Sequence, residues 1–148
     1  MKVRIELDPE MDEAEMIIRA PRLTEDLAQL QQMILDRKMT TLTFYKDRSE
    51  YFVNVSEILF FETDGEKIYG HTREDAYEVR QKLYELEKIL PITFCRISKS
   101  TIVNAKQIYS IEKSFSGTST VNFYQTHKQV HVSRHYYQLL KERLKEMR

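Results

Sequence analysis

A period of two, repeated in short runs, constrains this chain more than any other feature. Apolar and polar residues alternate over Thr40–Lys46, with Leu42 and Phe44 against Thr41, Thr43 and Tyr45, and again over Tyr51–Val55. Successive side chains of a strand point to opposite faces, so such runs read as strands. Polar Asp47–Glu50 joins these two as a hairpin, with Phe52 or Val53 facing the core. Glu57–Thr63 is a mostly apolar strand; Asp64-Gly65 is a tight-turn signal, and Lys67–Thr72 returns as the next strand. Phe94–Arg96, Ser100–Val103, Ile108–Lys113, Thr120–Tyr124 and Lys128–Val132 follow, with Ser114–Ser119 as a flexible tip containing Gly117. Within residues 39–148 helical spacing occurs twice. Val79, Leu83, Leu86 and Leu90 predict a central helix over Tyr77–Leu90, ended by Pro91; Tyr137, Leu140 and Leu144 predict a last helix capped by Ser133. The expected class is mainly β, with one covered face per sheet.

Residues 1–38 read differently. Lys2–Leu7 alternates as a strand, Asp8-Pro9-Glu10 turns, and Glu15–Ala20 forms a second short strand stopped by Pro21. Thr24 caps a helix whose first turn holds Glu25 and Asp26, and Leu23, Leu27, Leu30 and Ile34 make its apolar stripe. This strand–strand–helix extension adds an α+β element to the mainly β domain of residues 39–148. Too small to be stable alone, it either dimerises with a second copy or packs on the chain's own β-domain; dimerisation is the expectation taken here.

The formal net charge is zero, but unevenly assembled: −3 over residues 1–38, −4 over 39–90 and +7 over 91–148. Such asymmetry points to a polyanion-binding half joined to an acidic one. No apolar run approaches the roughly 18 residues that span a bilayer. The start, MKVRIELDPE, turns acidic too early for a secretory signal, so a cytoplasmic protein is the default expectation. The single cysteine, Cys95, cannot form an internal disulfide or a cysteine-based zinc site and reads as a small strand residue.

Within the basic part, Phe94–Asn104 (FCRISKSTIVN) interrupts an apolar run with Arg96, Ser98, Lys99, Ser100 and Thr101. These five residues all donate hydrogen bonds and none is acidic. They suit either a phosphate-gripping loop or a solvated turn between two strands. Further on, Ser133-Arg134-His135 places two cationic side chains at a helix start, where the dipole disfavours them unless an anion docks there. Arg134 could also pair bidentately with guanine O6 and N7.

These stretches resemble the LytTR-type DNA-binding domain family. The matching residues are Phe94, Arg96, Ile97, Ser98, Lys99, Ser100, Ile102, Val103 and Asn104, then Val132-Ser133-Arg134, and more weakly Phe60-Phe61-Glu62. Ser98 departs from the family's usual His. The resemblance implies an elongated stack of antiparallel sheets with a central and a C-terminal helix. It implies a bacterial transcriptional regulator that binds direct repeats in double-stranded DNA as a homodimer, through loops in the major groove. It also implies that Lys67 or Glu66, in the turn after Asp64, reaches bases. The expected DNA-binding residues are Lys67, Arg96, Ser98, Lys99, Ser100, Ser133, Arg134 and His135. Residues 1–36 are too short for a receiver domain, so control would come from elsewhere, such as a regulatory membrane-protein partner.

Catalysis finds little support: there are three glycines and no phosphate-cradling loop. His127, His131 and His135 would align on one helix, but 128–132 alternates as a strand, so no metal site is expected; no cofactor is expected either. The competing function classes are an RNA-binding β-domain with stacking aromatics and a module that pairs through an open sheet edge.

Overall fold

The computed structural model describes residues 4–38 and 42–147, the side chains of 35–38 excepted. Helix α1 (Glu25–Lys38) is followed by β1 (Phe44–Lys46), β2 (Ser49–Tyr51), β3 (Phe60–Asp64), β4 (Lys67–His71) and β5 (Ala76–Val79). Then come α2 (Leu83–Ile89), β6 (Phe94–Ser98), β7 (Thr101–Asn104), β8 (Ile108–Lys113), β9 (Ser119–Phe123), β10 (Gln129–Val132) and α3 (Arg134–Glu146). The strands make two antiparallel sheets, ordered β2-β1-β5-β4-β3-β7-β6 and β10-β9-β8. The mainly β expectation holds.

Adjacent residues of the central strands serve different cores. Phe61 and Ile102 point into one cluster with Phe44, Ile58, Val79, Phe94 and α2 residues Leu83 and Leu86. Phe60 and Val103 point the other way, toward Ile97, Val121, Phe123, Val130, Val132 and Leu140 of α3. The large sheet is therefore covered on both faces at β3 and β7, against the expectation of one covered face per sheet. The doublets Phe60-Phe61 and Ile102-Val103 carry this arrangement, because neighbours on a strand face opposite ways. Gly70, opposite Phe61 in the β3–β4 register, leaves room for the rings: a Cβ there would stand 2.9 Å from Phe61 Cε1 and 3.1 Å from Phe44 Cε1.

Three sequence expectations need correction. The central helix is shorter than Tyr77–Leu90: Ala76–Val79 is a strand paired with β4, in register Ile68↔Val79 and Gly70↔Tyr77. Val79 lies on both a helical and a strand period, and pairing with β4 decided between them. The Tyr51–Val55 strand stops at Tyr51; a 3-10 turn at Val55–Glu57 follows, begun by Asn54, whose Oδ1 accepts from the Ser56 amide. Val53 packs on the core while Phe52 is exposed. Finally, residues 4–24 form no strand, although Lys2–Leu7 and Glu15–Ala20 alternate or are apolar; residues 1–3 of the first run lie outside the described ones. No partner strand pairs with residues 4–24, and Ile5, Leu7, Met16, Ile17 and Ile18 stay exposed.

The expected helix in the extension is present. The Thr24 hydroxyl accepts from the Leu27 amide at 3.3 Å and the Thr24 carbonyl from the Ala28 amide. Ala28 is buried, and Gln31 Oε1 accepts from the Ile92 amide at 2.7 Å, which holds α1 beside the end of α2. The Ile92 carbonyl in turn accepts from Arg143 of α3. No helix among the described residues is long and apolar enough to cross a membrane.

Candidate nucleic-acid interface

Backbone hydrogen bonds tie together the segments that carry the expected site residues. The strand β6 has a bulge between Arg96 and Ser98, so Ile97 is out of step with the β7 ladder. Its carbonyl, released from the ladder, accepts from the Ser133 amide at 2.9 Å. The Ser100 carbonyl accepts from the Thr63 amide at 2.9 Å. The Lys99 turn is thus fixed on one side to β3, which leads into the Lys67 hairpin, and on the other to the start of α3. Sequence spacing gave no sign of these joints.

Each expected residue has a definite place. Lys67 opens β4 beside a two-residue turn in which Gly65 adopts φ 66°; its Nζ lies 3.6 Å from Glu78 and the side chain is exposed. Lys99 and Ser100 form the exposed β6–β7 turn. The Ser98 hydroxyl accepts from the Ser100 amide at 3.2 Å and lies 3.4 Å from the Ser100 hydroxyl. Arg96 is taken up internally. Its Nε donates to the Ser98 carbonyl at 2.7 Å, one terminal nitrogen to Glu87 at 2.9 Å, and the other to the Lys99 carbonyl. The guanidinium therefore braces the turn that presents Lys99.

Ser133 occupies the N-cap position of α3, as expected, but its side chain makes no capping bond; its carbonyl accepts from the amides of Tyr136 and Tyr137. Arg134 is exposed, and one terminal nitrogen donates to the Ser116 carbonyl in the β8–β9 tip. His135 is exposed and stacks edge-on against Tyr136, ring centroids 4.9 Å apart. The three histidines do not share a helix: His131 lies on β10 with Nδ1 3.3 Å from the Thr120 hydroxyl, whereas His135 is in the first turn of α3.

Two supporting features escaped the sequence reading. Asn104, the end of the Phe94–Asn104 motif, is buried; its amide nitrogen donates to the Ile58 carbonyl at 2.9 Å and its oxygen accepts from the Lys106 amide. It satisfies backbone groups where β7 leaves the sheet for the 3-10 turn Ala105–Gln107. The second is a clamp between the sheets. Lys128 Nζ donates to the carbonyls of Thr72 and Asp75 at 2.8 and 2.6 Å, and lies 3.3 Å from His71 Nδ1. Arg73 reaches back to the Tyr124 carbonyl and Gln107 Oε1.

An ammonium can only donate, so His71 Nδ1 is the acceptor and Nε2 carries the hydrogen. Nε2 lies 2.8 Å from Glu62 Oε1 but out of hydrogen-bonding alignment, and is left unpaired. Burial, reinforced by Lys128, pushes the His71 pKa down to about 4; burial also raises Glu62 and lowers Lys128. The imidazole is thus a neutral packing group, stacked on Phe60 at 4.3 Å. Burial pushes the Cys95 thiol up to about 11, away from thiolate chemistry.

The LytTr DNA-binding domain family matches residues 48–145. The chain is 30% identical to an uncharacterized HTH-type transcriptional regulator of Staphylococcus aureus strain NCTC 8325, over 97% of this chain and 98% of the relative. A relative with the same description from the bovine strain RF122 is 31% identical with the same coverage. Among solved structures, the chain superposes with TM-score 0.65 and 25% identity on the LytTr DNA-binding domain of a Bacillus cereus protein described as a methyl-accepting/DNA response regulator. That match covers 70% of this chain and 95% of the other. Although the staphylococcal names say HTH, every helix among the described residues is separated from the next by strands. The sequence match, the two-sheet fold and the joined loops agree: this chain belongs to the LytTr DNA-binding domain family and is a DNA-binding regulator.

Proposed function

We propose that this regulator binds direct repeats in double-stranded DNA as a homodimer, with loops rather than a recognition helix entering the major groove. One observation supports it most: the Lys99 turn is bonded through its backbone to β3 and to the first residue before α3, so the Lys67 hairpin, the Lys99 turn and the start of α3 are tied together. Lys99, Ser98, Ser100 and His135 contact phosphate in this reading, while Arg134 and either Lys67 or Glu66 reach base edges. Ser133 supports the anion-facing start of α3. Arg96, with its donors taken up inside the chain, acts by shaping the turn. Residues 1–38 and 39–148 act as separate units, the first for dimerisation. The six exposed large apolar residues from Ile5 to Ile18 favour that role, whereas α1 itself already rests on the chain beside Ile92. The protein works in the cytoplasm, controlled either by a membrane-protein partner or through its own synthesis.

Selection of bound sites from random duplexes tests the core of this reading. Recovery of two copies of one short element in the same orientation, bound with steep salt dependence, is the expected result. Equal or tighter binding to single-stranded RNA, or no preferred element, would refute it.

A further inference from the structure

The β8–β9 tip, Ser114–Thr118, carries an exposed aromatic side chain and plays no part in either core. Phe115 has 112% relative exposure, the highest of any large apolar side chain among the described residues. A lone exposed aromatic needs no explanation by itself. This one sits on a tip whose shape is fixed. The Ser114 hydroxyl lies 2.7 Å from the Ser116 hydroxyl and donates to the Thr118 carbonyl at 2.9 Å. The Ser116 and Thr118 hydroxyls are 3.2 Å apart, and the Ser114 amide donates to the Thr118 carbonyl at 3.0 Å. The loop expected from sequence to be flexible is therefore internally bonded.

The tip is also attached to Arg134. Its guanidinium donates to the Ser116 carbonyl and lies against Gly117, where a Cβ would displace it. Gly117 has φ 87°, a backbone region that suits glycine. From Lys113 to Ser119 there is one cation and no acid. Lys113 lies over the Tyr137 ring at 4.7 Å, a second link from the hairpin to α3. The residue next to Phe115 thus holds the side chain proposed to read a base, and the tip itself carries no acid.

We propose that the tip is a further base-contacting element, in which Phe115 packs on the C5-methyl of a thymine adjacent to the base read by Arg134. This rests on the DNA-binding reading above. Apolar contact with that methyl is one of the recognised ways a side chain reads the major groove. Ser114, Ser116 and Thr118 hold Phe115 in register with Arg134, so the two contacts are read together.

The test is a cycle of protein and DNA changes on duplexes selected from a random pool. Phe115→Ala is compared with the wild type on the selected duplex and on duplexes carrying deoxyuridine in place of each thymine in turn. Phe115 contributes nothing to either core, so the variant should melt with the wild type. For one thymine, removing the methyl should weaken the wild type by about 3- to 10-fold, the scale of one lost apolar contact. Phe115→Ala should be weaker by a similar factor and indifferent to that deoxyuridine; Phe115→Leu should recover part of the loss. The proposal falls if Phe115→Ala binds as the wild type does. It falls equally if the variant is weaker but feels every deoxyuridine as the wild type does, which would mean a sugar–phosphate or protein contact. If the wild type selects no duplex, the DNA-binding reading itself fails. If the wild type selects a site and Arg134→Ala loses its preference while Phe115→Ala does not, only the tip proposal fails.

Discussion

Replacing Arg96 and Lys99 separately by Ala divides two roles that lie three residues apart. Arg96→Ala removes a largely covered guanidinium with three partners. The bond to the Ser98 carbonyl is short and part-buried, worth about 1–1.5 kcal/mol. The Glu87 pair involves a carboxylate whose side chain is 42% exposed, so solvent screening leaves it about 0.5 kcal/mol. With a similar amount for the exposed Lys99 carbonyl, the variant should lose about 2 kcal/mol and melt roughly 6–10 °C lower. It should bind DNA more weakly because the turn is no longer braced, by a factor nearly independent of salt. Lys99→Ala should leave the melting temperature within about 1–2 °C. Losing one phosphate contact lowers the salt slope by about 0.9, so its binding deficit should shrink about 3.5-fold between 50 and 200 mM salt. Thermal melts and fluorescence titrations at several salt concentrations measure both. If Arg96→Ala melts like the wild type and shows the salt-dependent deficit of Lys99→Ala, the guanidinium contacts phosphate and the bracing argument is wrong.

Arg134→Ala should cost about 1–3 kcal/mol on the selected site and relax preference at one base position, with little change in melting; equal losses on selected and random duplex would confine Arg134 to phosphate. Stability should depend on pH through His71. Its folded pKa lies near 4, below the ordinary value of 6.5, so between those limits the unfolded chain binds more protons. The contribution, roughly 3 kcal/mol at most, is fully present above about pH 6.5 and lost as pH falls toward 4; in denaturant titrations His71→Phe should flatten that part of the profile. A chain beginning near Met39 should fold and sediment as a monomer where the full chain is a dimer. Loss of the α1 contacts at Ile92 should cost it only modestly in stability, and a shortened chain that stays dimeric would place the dimer contact in residues 39–148.

Local order in the sequence settled the class of fold and the identity of the basic loop. Alternation at Leu42–Phe44, at Thr120–Tyr124 and at Lys128–Val132 encodes strands because side-chain direction on a strand depends only on parity. Thr24 before Glu25-Asp26 encodes a helix start because the cap and the charges act within one turn. The motif Phe94–Asn104 was legible for the same reason: its residues are consecutive. Tertiary structure decided what depends on distant partners. Val79 fits two periods, and only pairing with Ile68 across β4–β5 made it a strand residue. Ile5 and Leu7 alternate like a strand, yet alternation supplies no partner for the backbone, and none pairs with them. Arg96 looked like a free cation until Ser98, Lys99 and Glu87 took up its donors, two by a bulge that sequence spacing does not register. Nor could sequence show that Arg134 rests on Ser116 and Gly117, 18 and 17 positions earlier, or that Lys128 bonds to Thr72 and Asp75. A side chain's hydrogen-bonding capacity is written in its residue type; which group takes it up is decided by the folding of the rest of the chain.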